Sequence, residues 1–194
     1  MCTVMTRTNG ADRQRRRDRR ATRRRLRRVE ALSAQLAQLY AIRPLFERAT
    51  DIVTHGWIQG AWFAVDDGGR TRVLTPPEAG LVADRPVTAA CLVGAVVHAG
   101  GGAAHVRSQE VQRALDLVWH SLREDIAQPV RWCPGTPVRT MHVLDLTHWN
   151  DASERTRDEV VGLLCASVAT VDAQRELCQS EQSRLAGRDL CELS

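Results

Sequence analysis

The sequence predicts a mainly α protein with a short β-hairpin: a small α+β fold, with a single compact helix-rich domain behind an N-terminal basic helical arm. Three observations predict it. Residues 11–43 contain neither Gly nor Pro and are rich in Arg, Ala, Leu and Gln, all good helix formers. Apolar residues then recur at helical spacing through most of the chain. The exception is two short β-prone runs flanking Asp66-Asp67-Gly68-Gly69, the turn chemistry of a hairpin.

Taken in order, residues 1–28 are expected as an arm that is a disordered or frayed helix, because like charge crowds positions 13–28. Met5 is an alternative start. Val29, Leu32, Leu36 and Leu39 then form an apolar stripe, docked on its own domain or used as a homodimer seam. Pro44 suits the first turn of a second helix carrying Leu45, Phe46, Ala49, Ile52 and Val53, which Gly56 ends. Pro76, Pro77, Gly80 and Pro86 mark a loop. An apolar helix is expected over Ala89–Ala99, stopped by Gly100-Gly101-Gly102. Another starts at Ser108 with Val111, Leu115, Val118 and Leu122 inward. Pro129, Pro134, Gly135 and Pro137 make 127–140 an irregular crossing, and 141–146 stays unassigned. Thr156-Arg157-Asp158-Glu159 is a capping box opening a helix through Val160, Leu164, Val168 and Val171 that ends before Gly187. The globular domain is expected over 29–186, with 187–194 as a C-terminal tail.

Charge is asymmetric. The chain is formally +4, yet residues 1–30 hold 12 Arg against 3 acidic residues, giving +9, so the remainder carries −5. Such an arm suits a polyanion, since arginine neutralises phosphates and releases counterions. The arm residues are Arg13, Arg15, Arg16, Arg17, Arg19, Arg20, Arg23, Arg24, Arg25, Arg27 and Arg28, within a segment spanning 7–28. The absence of any lysine raises the competing reading that the Arg tract reflects coding bias and a solvated terminus. No apolar run reaches the roughly 18–20 residues of a bilayer span, so no membrane partner is expected. With six scattered cysteines and no secretory pattern, the chain reads as cytoplasmic with reduced thiols.

Without lysine, P-loop, kinase, Schiff-base and pyridoxal-phosphate chemistry is excluded, and no cofactor is expected. What is left centres on Cys91, placed in the first turn of its helix, where the dipole would lower a thiol pKa. His148 would be its base, with Asn150 or Asp151 as orienter, in the order of papain-like enzymes. The competing reading is an inert core thiol among Ala89, Ala90, Leu92 and Val93. Cys133, His142 and His148 follow C-x8-H-x5-H without a second Cys at zinc-finger distance, and Cys165, Cys178 and Cys191 recur every 13 residues; no metal site is expected from either. Trp57, Trp62 and Trp149 stand beside turn residues and either pin loops or line a pocket.

The motifs His-Gly-Trp-x-Gln-Gly at 55–60, Asp-x-Gly at 66–68, Cys-x-x-Gly-Ala at 91–95, Trp-Asn-Asp at 149–151 and Arg-Thr-x-x-Glu-Val at 155–160 stand in a telling order. Over residues 30–175 this resembles an uncharacterised domain family of unknown function, common in actinobacteria and their phages. The resemblance implies a small α-rich domain and supplies no activity. The expected function is an accessory or binding protein whose arm engages nucleic acid or another acidic partner. The alternatives are a cysteine-dependent hydrolase or transferase using Cys91, His148 and Asn150/Asp151, and a regulatory protein that binds a host factor.

Overall fold

The computed structural model describes residues 8–82, 85–126, 128–130, 132–133 and 135–192. Met5, Arg7 and Pro134, and the side chain of Cys191, lie outside them. Among the described residues there are five α-helices and one small antiparallel sheet, the mainly α architecture with a hairpin that the sequence predicts. The helices are α1 (Thr8–His55), α2 (Leu92–Ala99), α3 (Gln109–Arg123), α4 (Thr136–Asn150) and α5 (Arg157–Glu192); the strands are β1 (Phe63–Asp66), β2 (Thr71–Leu74) and β3 (Val87–Ala90). None of these helices is long and apolar enough to cross a membrane.

The chain divides into two compact units, Met1–Ala37 with Leu177–Ser194, and Gln38–Glu176. In the first, the early part of α1 is bonded to the end of α5. Arg28 donates twice to the Glu181 carboxylate at 2.7 Å, Gln182 donates to Ser33 Oγ at 2.9 Å, and Arg25 donates to the Leu185 carbonyl. Leu32 is fully buried there.

The second unit holds the sheet and the main core. β1 is central, in the order β2-β1-β3, and the hairpin pairs Asp66 opposite Thr71. Gly68 and Gly69 take positive φ, and Asp66 Oδ1 accepts from the Gly69 amide at 2.7 Å. Phe63, Ala64 and Val65 are all buried, as suits a strand covered on both faces. Ser108 caps α3, its Oγ accepting from Val111 N, and Val111, Leu115 and Val118 face the core.

Four local expectations are corrected. Pro44 does not start a new helix; it lies inside α1. An interior proline costs about 3 kcal/mol. The continuous face of Leu39, Ile42, Leu45, Phe46, Ala49 and Val53, all 0 % exposed, outweighs it at roughly 1.5–3 kcal/mol per large side chain. Ala89 and Ala90 are strand, paired with Ala64 and Phe63, so α2 begins only at Leu92. The 127–140 crossing turns helical at Thr136, and the unassigned 141–146 lies inside α4. Finally, α5 runs past Gly187 to Glu192. As for the Val29–Leu39 stripe, Leu32 and Leu39 are buried within the single chain.

Candidate functional site

Three of the sequence motifs meet at one side chain. Asn150 ends α4 and is 1 % exposed. Its Oδ1 accepts from Trp57 Nε1 at 2.9 Å and from the Leu92 amide at 3.0 Å. Its Nδ2 donates to the Ile58 carbonyl at 3.3 Å and to Asp151 Oδ1 at 2.7 Å. Both lone pairs and both hydrogens of the amide are therefore used. Gln59 adds bonds to the carbonyls of Asn150 and Ala152, and the Gly60 amide donates to Asp151 Oδ1 at 3.0 Å.

The glycines of those motifs are where backbones touch. A Cβ on Gly56 would lie 2.2 Å from the Thr88 carbonyl oxygen, and one on Gly94 would lie 2.2 Å from that of Trp62. Between them, Ala90 N donates to Gly56 O at 3.0 Å and Cys91 N to Trp62 O at 3.1 Å, so the start of α2 is pressed onto the entry to the sheet.

Cys91 is the N-cap of α2. Its extended backbone ends β3, and its Sγ accepts from Gly94 N at 3.3 Å. The thiol is 2 % exposed, and burial pushes it up to about 11, outweighing the amide bonds that pull it down. This runs opposite to the dipole-lowered thiol that the cysteine-enzyme reading requires. Cys91 and Asn150 are brought together through Leu92 N, and Asp151 is near enough to raise the thiol further. His148 is exposed, and among the described residues no hydrogen bond joins it to Cys91.

The three tryptophans have separate surroundings. Trp57, bonded to Asn150, lines a shallow depression of about 410 Å³ with Thr156, Arg157 and Asp158. Trp62 lies edge-on to Phe63. Trp149 is covered by the Arg155 guanidinium, 4.0 Å from the ring centroid, whose Nε also donates to the Trp149 carbonyl. Arg155 leads into the capping box. Thr156 N and Oγ1 both donate to Glu159 Oε2 at 2.9 Å, and Glu159 N donates to Thr156 Oγ1 at 3.3 Å. These bonds hold the Glu159 carboxyl below its ordinary range.

Of the C-x8-H-x5-H trio, Cys133 and His142 come together and His148 does not join them. Their companion is Asp116 of α3, which sequence reasoning missed. The signal was present: an acidic residue inside Leu115-Asp116-Leu117-Val118, on a helix whose apolar face is buried. A larger cavity of about 560 Å³ lies nearby, lined by Val106, Arg107, Gln112, Arg139, Thr140 and Val143.

On the arm, α1 orders the arginines by face. At 100° per residue, Arg13, Arg16, Arg17, Arg20, Arg23, Arg24, Arg27 and Arg28 fall within an arc of about 140°. All eight are exposed, as are Arg15 and Arg19; Arg25, bonded to Leu185, is half-buried. That periodicity is present in the sequence, where the density of charge masks it.

The model of a family of unknown function, DUF6197, matches residues 39–170, which takes in the junction at Asn150 and leaves the arginine arm outside. No curated protein and no solved structure matches the chain.

Proposed function

We propose, for a chain that belongs to the DUF6197 family of unknown function, a binding role without catalysis, in which the arginine face of α1 engages the phosphate backbone of a nucleic acid. The observation that carries this reading is the one-sided arc of eight exposed arginines. Over residues 13–28 a helix rises about 1.5 Å per residue, so this arc places an arginine every 3 Å or so, with Arg28 at its end also paired to Glu181. Duplex DNA presents a negative charge every 1.7 Å or so along its axis. Spacings of that order let a helix follow the backbone without reading base edges.

The surroundings of Cys91 support the same reading. A nucleophilic thiol works as an exposed thiolate, whereas this one is buried, raised to about 11 and engaged as a helix cap. Asn150 has no hydrogen-bonding capacity left to orient a base.

Fluorescence anisotropy with labelled duplex DNA and RNA tests the proposal. Changing Arg16, Arg20, Arg23 and Arg27 together to Gln keeps helix propensity and removes four charges. On duplex DNA it should flatten the log–log salt dependence by roughly 0.9 for each phosphate that is no longer neutralised. Removing residues 1–28 should abolish binding. Equal affinity and equal salt slope for the variant and the parent chain would overturn the proposal and leave the host-factor reading to be pursued.

A further inference from the structure

Residues of α3, of α4 and of the loop that joins them form a cluster that the arm has no use for. Asp116 is 3 % exposed, and its two carboxylate oxygens are treated differently. Oδ2 accepts from Cys133 N and from Arg139 Nη2, both at 3.3 Å. Oδ1 is buried with no hydrogen-bond partner, and it faces His142 Nδ1 at 3.9 Å, itself buried and without a partner. The ligand atoms of Asp116, Cys133 and His142 lie within 4.8 Å of one another. Buried polar atoms left unpaired are uncommon and call for a missing water or ion.

The geometry points to a divalent metal site of the zinc class, with Asp116 Oδ1, Cys133 Sγ and His142 Nδ1 as ligands and a fourth position open to water. The donor set decides the class. One thiolate, one imidazole and one carboxylate suit zinc, whereas calcium and magnesium take oxygen alone. A tetrahedral zinc shell places ligand atoms roughly 3.3–3.8 Å apart, so the widest separation here closes by about 1 Å. Cys133, in irregular chain between α3 and α4, supplies that movement.

The outer partners are those a metal centre uses. Arg139 and the Cys133 amide fix the carboxylate through Oδ2 and leave Oδ1 to the ion. Trp119 stacks on the His142 ring at 3.9 Å between centroids and 12° between planes, and is itself held by Asp145 at 3.1 Å. Cys133 now donates its S–H to the Gly135 carbonyl at 3.2 Å. On binding, that proton leaves to solvent and the sulfur–metal bond takes its place. The Arg139 guanidinium offsets the carboxylate charge in the free protein, and the new thiolate restores a net negative shell for the cation.

Cobalt titration of the chelator-treated full chain tests the site. One equivalent of Co²⁺ should produce a thiolate-to-cobalt charge-transfer band, which Zn²⁺ then bleaches. The band should vanish in Cys133→Ala and His142→Ala and persist in His148→Ala, whose residue lies outside the cluster. In the unaltered chain, Zn²⁺ should slow iodoacetamide labelling of Cys133 at least tenfold while leaving exposed Cys165 unchanged. That measurement stands even where a variant fails to fold. A band retained in Cys133→Ala, no band in the parent, or labelling of Cys133 at the same rate with and without Zn²⁺ would each overturn the site.

Discussion

At the scale of single residues, Asn150 carries more of this structure than its size suggests. Asn150→Ala leaves the Trp57 indole, the Leu92 amide and the Ile58 carbonyl without their partner, and should cost about 3–5 kcal/mol in a denaturant titration. Asn150→Asp should be nearly as harmful, since it loses both donors and sets a carboxylate against Asp151. Gly94→Ala should cost about 3 kcal/mol, because the clash is with a main-chain carbonyl that cannot rotate away. Gly162→Ala on α5, where an added methyl meets nothing within 4 Å, should instead stabilise by up to about 1 kcal/mol. For Cys91, the folded-state pKa is raised from its ordinary 9.0 to about 11. The associated stability is present below pH 9 and is lost as pH rises toward about 11, because in that window the unfolded chain alone releases the proton. Parent and Cys91→Ala should therefore converge by about 2–3 kcal/mol across that window, and parallel profiles would contradict the assignment.

At the scale of elements, the sequence was most readable where side chains signal their own backbone. The hairpin at Gly68-Gly69, the Ser108 cap and the Thr156–Glu159 box each declare themselves within four residues. Thr156→Ala should lower stability by about 0.5–2 kcal/mol. Arg157→Ala, one residue on and exposed, should stay within about 0.5 kcal/mol. Calorimetry on both variants locates the start of α5. Legibility failed where tertiary packing overrules local preference. Val87-Thr88-Ala89-Ala90 runs straight into an apolar helix, and a continuous apolar run does not reveal which part is strand. In α4, Val138, Met141 and Leu144 are exposed while Leu146 is buried, so apolar residues occupy two faces and the period blurs. Pro44 misled because its local penalty is small against a long buried face.

At the scale of the whole molecule, the candidate residues were legible but their partners were not. Cys91, Asn150 and Trp57 stood out by composition, yet nothing local says that one amide joins segments 58 and 93 residues away. Charge behaves similarly: the split between a +9 arm and a −5 body is arithmetic on the sequence, whereas the arc of eight arginines needs the helix to exist. Asp116 escaped notice because its role depends on Cys133 and His142 arriving from outside α3. An isolated segment 39–130 lacks Asn150 and should therefore fail to give a cooperative thermal transition, while segment 38–176 should unfold with one. Differential scanning calorimetry of the two fragments checks this.

The Leu92 amide has a kinetic consequence. An amide in the first turn of a helix has no carbonyl of its own helix to hold it, and ordinarily trades its proton with water through slight fraying. This one is tied to an oxygen that arrives 58 residues later in the chain. Its deuterium uptake is thus slaved to the departure of α4 from α2, and should be as slow as uptake in the centre of α3. A clock at one helix end reports whether two distant stretches of chain are still together.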